Sequence, residues 1–130
     1  MDQQENSCIF CKLSKDESRV VCRLESATAI LDGFPVTFLH TLIIPNRCIA
    51  SYFDLTPQER SDCEQLLKIR KQQIESSDPS VDGFNIGVNV GRSAGQTVFH
   101  CHIHLISRRI GDMQDPKGGV RGVIPGKQKY

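Results

Sequence analysis

The chain has 130 residues, a formal net charge of +1 and 38% hydrophobic residues. That length fits one domain with a core of its own. The near-neutral charge excludes the strong positive field that draws a protein to nucleic acid or anionic membranes, and no apolar run is long enough for a membrane span.

The first seven residues are polar and partly acidic. They lack the basic and apolar regions of a secretory signal, so the expected location is cytoplasmic, with no membrane or nucleic-acid partner. Six cysteines without such a signal suit a reducing compartment, where they act as thiols or metal ligands. Cys8 and Cys11 form a Cys-x-x-Cys pair, compatible alone with redox chemistry, zinc or two buried thiols. Zinc would need two further ligands from elsewhere.

Residues 20–24 and 27–32 read as strands, the second broken at Gly33-Phe34-Pro35. Residues 37–44 give the strongest strand signal, stopped by Pro45. Thr56, Pro57 and Glu59 predict a helix start with a capping box. Cys63, Leu66, Leu67 and Ile74 follow as an apolar stripe. Lys68, Arg70 and Lys71 read as its solvated face, and the helix should end near Ser76. In residues 84–90, alternation assigns Phe84, Ile86, Val88 and Val90 to the core, and Asn85, Gly87 and Asn89 to the opposite face.

Three of the four histidines lie within five residues, at His100, His102 and His104. In the run from Val98 to Ile106, alternation predicts a strand with these imidazoles on one face. Phe99, Cys101, Ile103 and Leu105 would then line the other. A hairpin with residues 84–90 would bring Asn89 to the histidine face. The turn from Gly91 to Thr97 offers backbone N–H groups to an anion. The chain reads as α+β: a bent antiparallel sheet with one long helix over residues 1–110, then an irregular C-terminal extension over 111–130.

The stretch Gly95-Gln96-Thr97-Val98-Phe99-His100-Cys101-His102-Ile103-His104-Leu105-Ile106 resembles the signature of the histidine triad (HIT) superfamily, and the likeness runs from about Cys8 to Arg109. It implies a bent five-stranded sheet with one long helix and a short N-terminal helix, assembled as a homodimer. It implies hydrolysis or transfer at the α-phosphate of a nucleotide through a nucleotidyl-histidine. His102 would be the nucleophile, its tautomer fixed by the His100 carbonyl. His104 would donate to the α-phosphate, Thr97 would assist the leaving group, and His40 would support the triad or serve as a plain structural histidine.

For the nucleotide, expected to contain AMP, the resemblance implies contacts from Asn89, Gly95, Gln96 and Thr97 to phosphate and from Asp32 to ribose. Asp32 could equally be a turn residue. Ile9, Phe10, Leu13, Ile30 and Leu31 resemble the apolar slot for the base, or are plain core. Some branches carry a structural zinc, which here would take Cys8, Cys11, Cys48 and His100. Cys22, Cys63 and Cys101 would remain core thiols. The tail resembles bacterial-type members assigned to dinucleoside polyphosphates, with Lys117 or Arg121 available to distal phosphates. Adenosine phosphoramidates, or nucleotide binding with little turnover, are the alternatives, and a zinc-stabilised interaction domain is a third reading.

Overall fold

The computed structural model describes residues 7–130. Residues 1–6 of the polar N-terminal stretch, read above as lacking a secretory signal, lie outside the described residues. The elements are α1 (Ile9–Leu13), β1 (Val20–Arg23), β2 (Ala27–Leu31), β3 (Thr41–Pro45), α2 (Pro57–Ser77), β4 (Val81–Val88) and β5 (Ile103–Arg109). Among the described residues the strands form one antiparallel five-stranded sheet in the order β1-β2-β3-β5-β4.

The long helix α2 starts where its caps require. The Thr56 hydroxyl accepts from the Glu59 N–H at 3.1 Å, and the Glu59 carboxylate accepts from the Thr56 N–H at 2.8 Å. These bonds satisfy two of the helix's orphan donors reciprocally. The helix lays Cys63, Leu66 and Ile74 on one face of the sheet, against Ala27, Ala29, Ile43, Ile103 and Leu105. Because strand side chains alternate, Ile30, Leu42 and Ile44 emerge on the opposite face, where Phe10 of α1 covers them. No helix of the described residues is long and apolar enough to cross a membrane.

Several expectations shift. Arg70 is buried, not solvated, and its Nε donates to the Thr41 hydroxyl at 2.9 Å. The third strand starts at Thr41 rather than residue 37, and Pro45 is its last residue, paired with Ala27. Residues 37–40 form a turn closed by the His40 N–H on the Thr37 carbonyl, with Leu39 at φ 75°. His40 therefore precedes the central strand instead of lying within it. Ile86 was expected in the core but is half exposed, because β4 is the sheet's edge; Phe84 and Val88 do pack inward.

The histidine strand also begins late, at Ile103. Pairing to both neighbours stops there, at Ile43 on one side and Val88 on the other. Upstream, the Cys101 N–H is taken by the Ile49 carbonyl at 2.7 Å. Phe99 was expected on the core side, but it is partly exposed beneath the Arg92 guanidinium, 5.5 Å from the ring centre.

Candidate active site

His100 is fully buried, and both ring nitrogens have partners. Its Nε2 lies 2.8 Å from the Pro45 carbonyl. A carbonyl only accepts, so Nε2 carries the proton and Nδ1 keeps its lone pair. Nδ1 lies 3.3 Å from Cys8 Sγ and 3.5 Å from Cys11 Sγ. Cys48 completes the group, and the four ligand atoms lie within 4.8 Å of one another. Burial pushes the Cys11 thiol up, reinforced by Cys8 and Cys48. Three sulfurs and one imidazole lone pair thus converge, a donor set of the kind a soft divalent cation takes. The donor set fits a Cys₃His zinc site.

The same histidine positions the next one. The His100 carbonyl accepts from His102 Nδ1 at 2.8 Å. His102 Nε2 is thus left as a base with a free lone pair. Its ring lies between Phe10, centroids 4.7 Å apart, and His104 at 5.3 Å.

His104 is set from the other side. The Val36 N–H donates to His40 Nδ1 at 3.0 Å. Burial lowers the pKa of His40, partly opposed by Asp32, which favours the neutral ring with its proton on Nε2. His40 Nε2 donates that proton to His104 Nδ1 at 2.9 Å, and Asp32 Oδ2 lies 3.4 Å from His40 Nε2. His104 in turn carries its own proton on Nε2. Burial, aided by His102 and His40, pushes the pKa of His104 down to about 4, so it is a neutral donor at pH 7. The row thus presents a lone pair on His102 Nε2 and a hydrogen-bond donor at His104.

Asn89 lines the same cavity as His104 and His40. Asp32 gives one carboxylate oxygen to the Phe34 N–H at 2.7 Å and turns the other to His40. Leu31 ends β2 behind it.

The glycine turn is arranged differently from expectation. The N–H groups of Gly95 and Gln96 donate to the Arg92 and Gly91 carbonyls within the turn. Gln96 is buried and staples the loop, accepting from the Gly91 N–H and donating to the Ala50 and Val98 carbonyls. Gly91 and Gly95, at φ 90° and 92°, supply the left-handed residues that close it. Thr97 lines a separate cavity with Cys8, Cys48 and Val98. Lys117 and Arg121 stand over the Tyr130 ring, at 5.0 and 5.1 Å, rather than facing the histidines. Two groups that fix tautomers, the Pro45 carbonyl and the Val36 N–H, were not anticipated. Backbone groups leave no residue signature by which to find them.

Residues 14–111 match the HIT domain family. The asymmetrical bis(5'-nucleosyl)-tetraphosphatase of Schizosaccharomyces pombe is 36% identical over 99 residues, covering 75% of this chain and 53% of that protein. An adenosine 5'-monophosphoramidase of Candida albicans is 36% identical over 109 residues, covering 79% of this chain and 71% of that protein. The chain spans about half the length of some curated relatives it matches. A crystal structure of a zinc-bound histidine triad family protein from Mycobacterium smegmatis is 34% identical with a TM-score of 0.75, covering 85% of this chain and 81% of that one. The chain belongs to the HIT domain family.

Proposed function

We propose that the protein is a nucleotide hydrolase or nucleotidyl transferase that works through a covalent histidine intermediate. The observation that carries this is the 2.8 Å bond from His102 Nδ1 to the His100 carbonyl. It leaves Nε2 as the nucleophile. Nε2 bonds to the α-phosphorus as the bond to the leaving group breaks, and the leaving group departs with the electron pair and takes a proton from water. A water or other acceptor then attacks phosphorus, the P–N bond breaks, and the pair returns to Nε2. His104 donates to a phosphate oxygen throughout, a contact that strengthens as charge develops. Asn89 binds the phosphate beside it.

The base stacks near Phe10 and Leu31, with Asp32 reaching the ribose. Diadenosine polyphosphates and adenosine phosphoramidates both present the required α-phosphate, and relatives named for each kind of reaction are equally identical to this chain. Zinc on Cys8, Cys11, Cys48 and His100 is structural in this reading, holding the residue whose carbonyl orients His102. A homodimer completes it. The edge strand β4, with Ile86 half exposed, can continue the sheet into a second copy; light scattering on the purified protein reads this directly. The activity is tested by steady-state turnover of a panel of both substrate classes. Wild type should hydrolyse at least one, and His102→Asn should bind nucleotide without turning it over. Inactivity across the panel would refute the proposal.

A further inference from the structure

One loop, between β2 and β3, sets a carboxylate and an imidazole against each other. The Asp32 N–H donates to the His40 carbonyl at 3.0 Å and closes it. Inside the loop the Phe34 N–H donates to Asp32 Oδ1 at 2.7 Å, and the Val36 N–H donates to His40 Nδ1 at 3.0 Å. Both side chains are therefore held by the same short run of backbone.

His40 has one ring proton to give, on Nε2, and two acceptors stand near it. His104 Nδ1 is at 2.9 Å and Asp32 Oδ2 is at 3.4 Å. The nearer acceptor is a neutral ring. The farther one is a carboxylate, whose charge strengthens the bonds it accepts. Asp32 leaves 14% of its side chain exposed, and among the described residues no other donor reaches Oδ2. Asp32 is thus a rival of His104 for the His40 proton.

The winner decides what His104 presents to substrate. While Nδ1 accepts from His40, the proton of His104 must sit on Nε2, where it can be donated to phosphate. When His40 turns its proton to Asp32, Nδ1 loses its donor. The ring is then free to adopt the other tautomer, whose Nε2 lone pair repels phosphate oxygens. Two vicinal hydroxyls donating to the Asp32 carboxylate would occupy the rival and leave the His40 proton to His104.

We propose that Asp32 is a positioning residue that couples ribose recognition to the donor on His104. Ribose hydroxyls on Asp32 return the His40 proton to His104 Nδ1, and His104 Nε2 then donates to the α-phosphate. This rests on the reading of Asp32 as the ribose contact and His102 as the nucleophile. The two hydroxyls therefore raise kcat and do not act on affinity alone, because a remote part of the substrate completes the reacting centre.

The test uses the full chain and two probes, adenosine 5'-phosphoramidate and its 2',3'-dideoxy analogue. In the wild type, kcat for the first should exceed kcat for the second by about tenfold. Asp32→Asn keeps an oxygen for the Phe34 N–H but turns an amide N–H towards His40, so it removes the rival acceptor. In that variant the two kcat values should converge. A residue that merely binds ribose would change KM and leave the two kcat values equal in the wild type, which overturns the proposal. The tautomer is read separately from the nitrogen-15 signals of His104, assigned by His104→Gln. Saturating AMP should drive them to the form protonated on Nε2, and 2',3'-dideoxy-AMP should do so less completely. Asp32→Asn should show that form with no nucleotide. Signals that both nucleotides move alike overturn the coupling. If neither amide is turned over, the His102 reading fails, while the nitrogen signals still decide the coupling.

Discussion

His100 and His40 are both buried imidazoles, each held at one nitrogen by a backbone group, and they end in opposite roles. The Pro45 carbonyl takes the proton side of His100, so its other nitrogen points a lone pair at three thiols. The Val36 N–H takes the lone-pair side of His40, so its other nitrogen points a proton at His104. Asp32, His40 and His104 lie as close together as the cysteine cluster does. A metal on His40 Nε2 would displace that proton and conflict with the Val36 N–H. Proximity of ligand atoms therefore does not make a metal site; the backbone partner of each ring decides between ligand and donor. His102 follows the His100 pattern: its Nδ1 is tied to a backbone carbonyl, which leaves the lone pair on Nε2 for the nucleophilic role proposed above.

The sharpest way to break this contrast is at His102. His102→Asn should lower turnover by about four orders of magnitude or more, as loss of a nucleophile does, with nucleotide affinity by calorimetry changed little. On the donor side, His104→Gln should cost about a hundred- to a thousandfold in kcat, the range for one lost donor to a developing anion. A loss as large as that of His102→Asn would instead make His104 the nucleophile.

On the ligand side, elemental analysis of untagged protein should find zinc, and Cys8→Ser with Cys11→Ser should abolish it. Removing the metal should lower Tm by about 10 °C. It should also cost about tenfold in turnover, because His100 then holds its carbonyl less firmly beneath His102. A protein without zinc and with unchanged Tm after the double substitution would leave the cysteines as ordinary core.

The smallest effect is on acid stability. His104 titrates near 4 when folded, against an ordinary value of 6.5. Between these values the unfolded chain binds the extra proton, so stability falls as pH drops from about 6.5 and the loss levels off below about 4. The two values alone correspond to about 3 kcal/mol, which solvent screening of the partly exposed ring should reduce to about 2 kcal/mol by denaturant titration. His104→Gln should flatten that slope.

Much of this was legible in the residues. Thr56, Pro57 and Glu59 mark the start of α2, because a capping box is local chemistry. The family resemblance groups Cys8, Cys11, Cys48 and His100, and the fold brings them together. Other features depend on long-range partners. Alternation assigns the triad to a strand, but Ile49 and Pro45 capture residues 100–101 before pairing begins. Gln96 looks like a phosphate ligand until its side chain is found bonded to Ala50, forty-six positions away. Arg70 follows the charged-face pattern, yet it reaches Thr41 on β3. The tail carries no periodicity: it reads only as an irregular extension crossing the site or a partner subunit, and the strands it lies against are not legible.

The central claim is that the ring whose Nδ1 is tied to its neighbour's carbonyl forms the bond to phosphorus. Rapid mixing with substrate, alkaline quench to preserve the P–N bond, and peptide mass mapping test it most directly. The prediction is a nucleotidyl adduct on His102, absent from His102→Asn. An adduct on His104 or His40, or none in protein that is turning over, would contradict it.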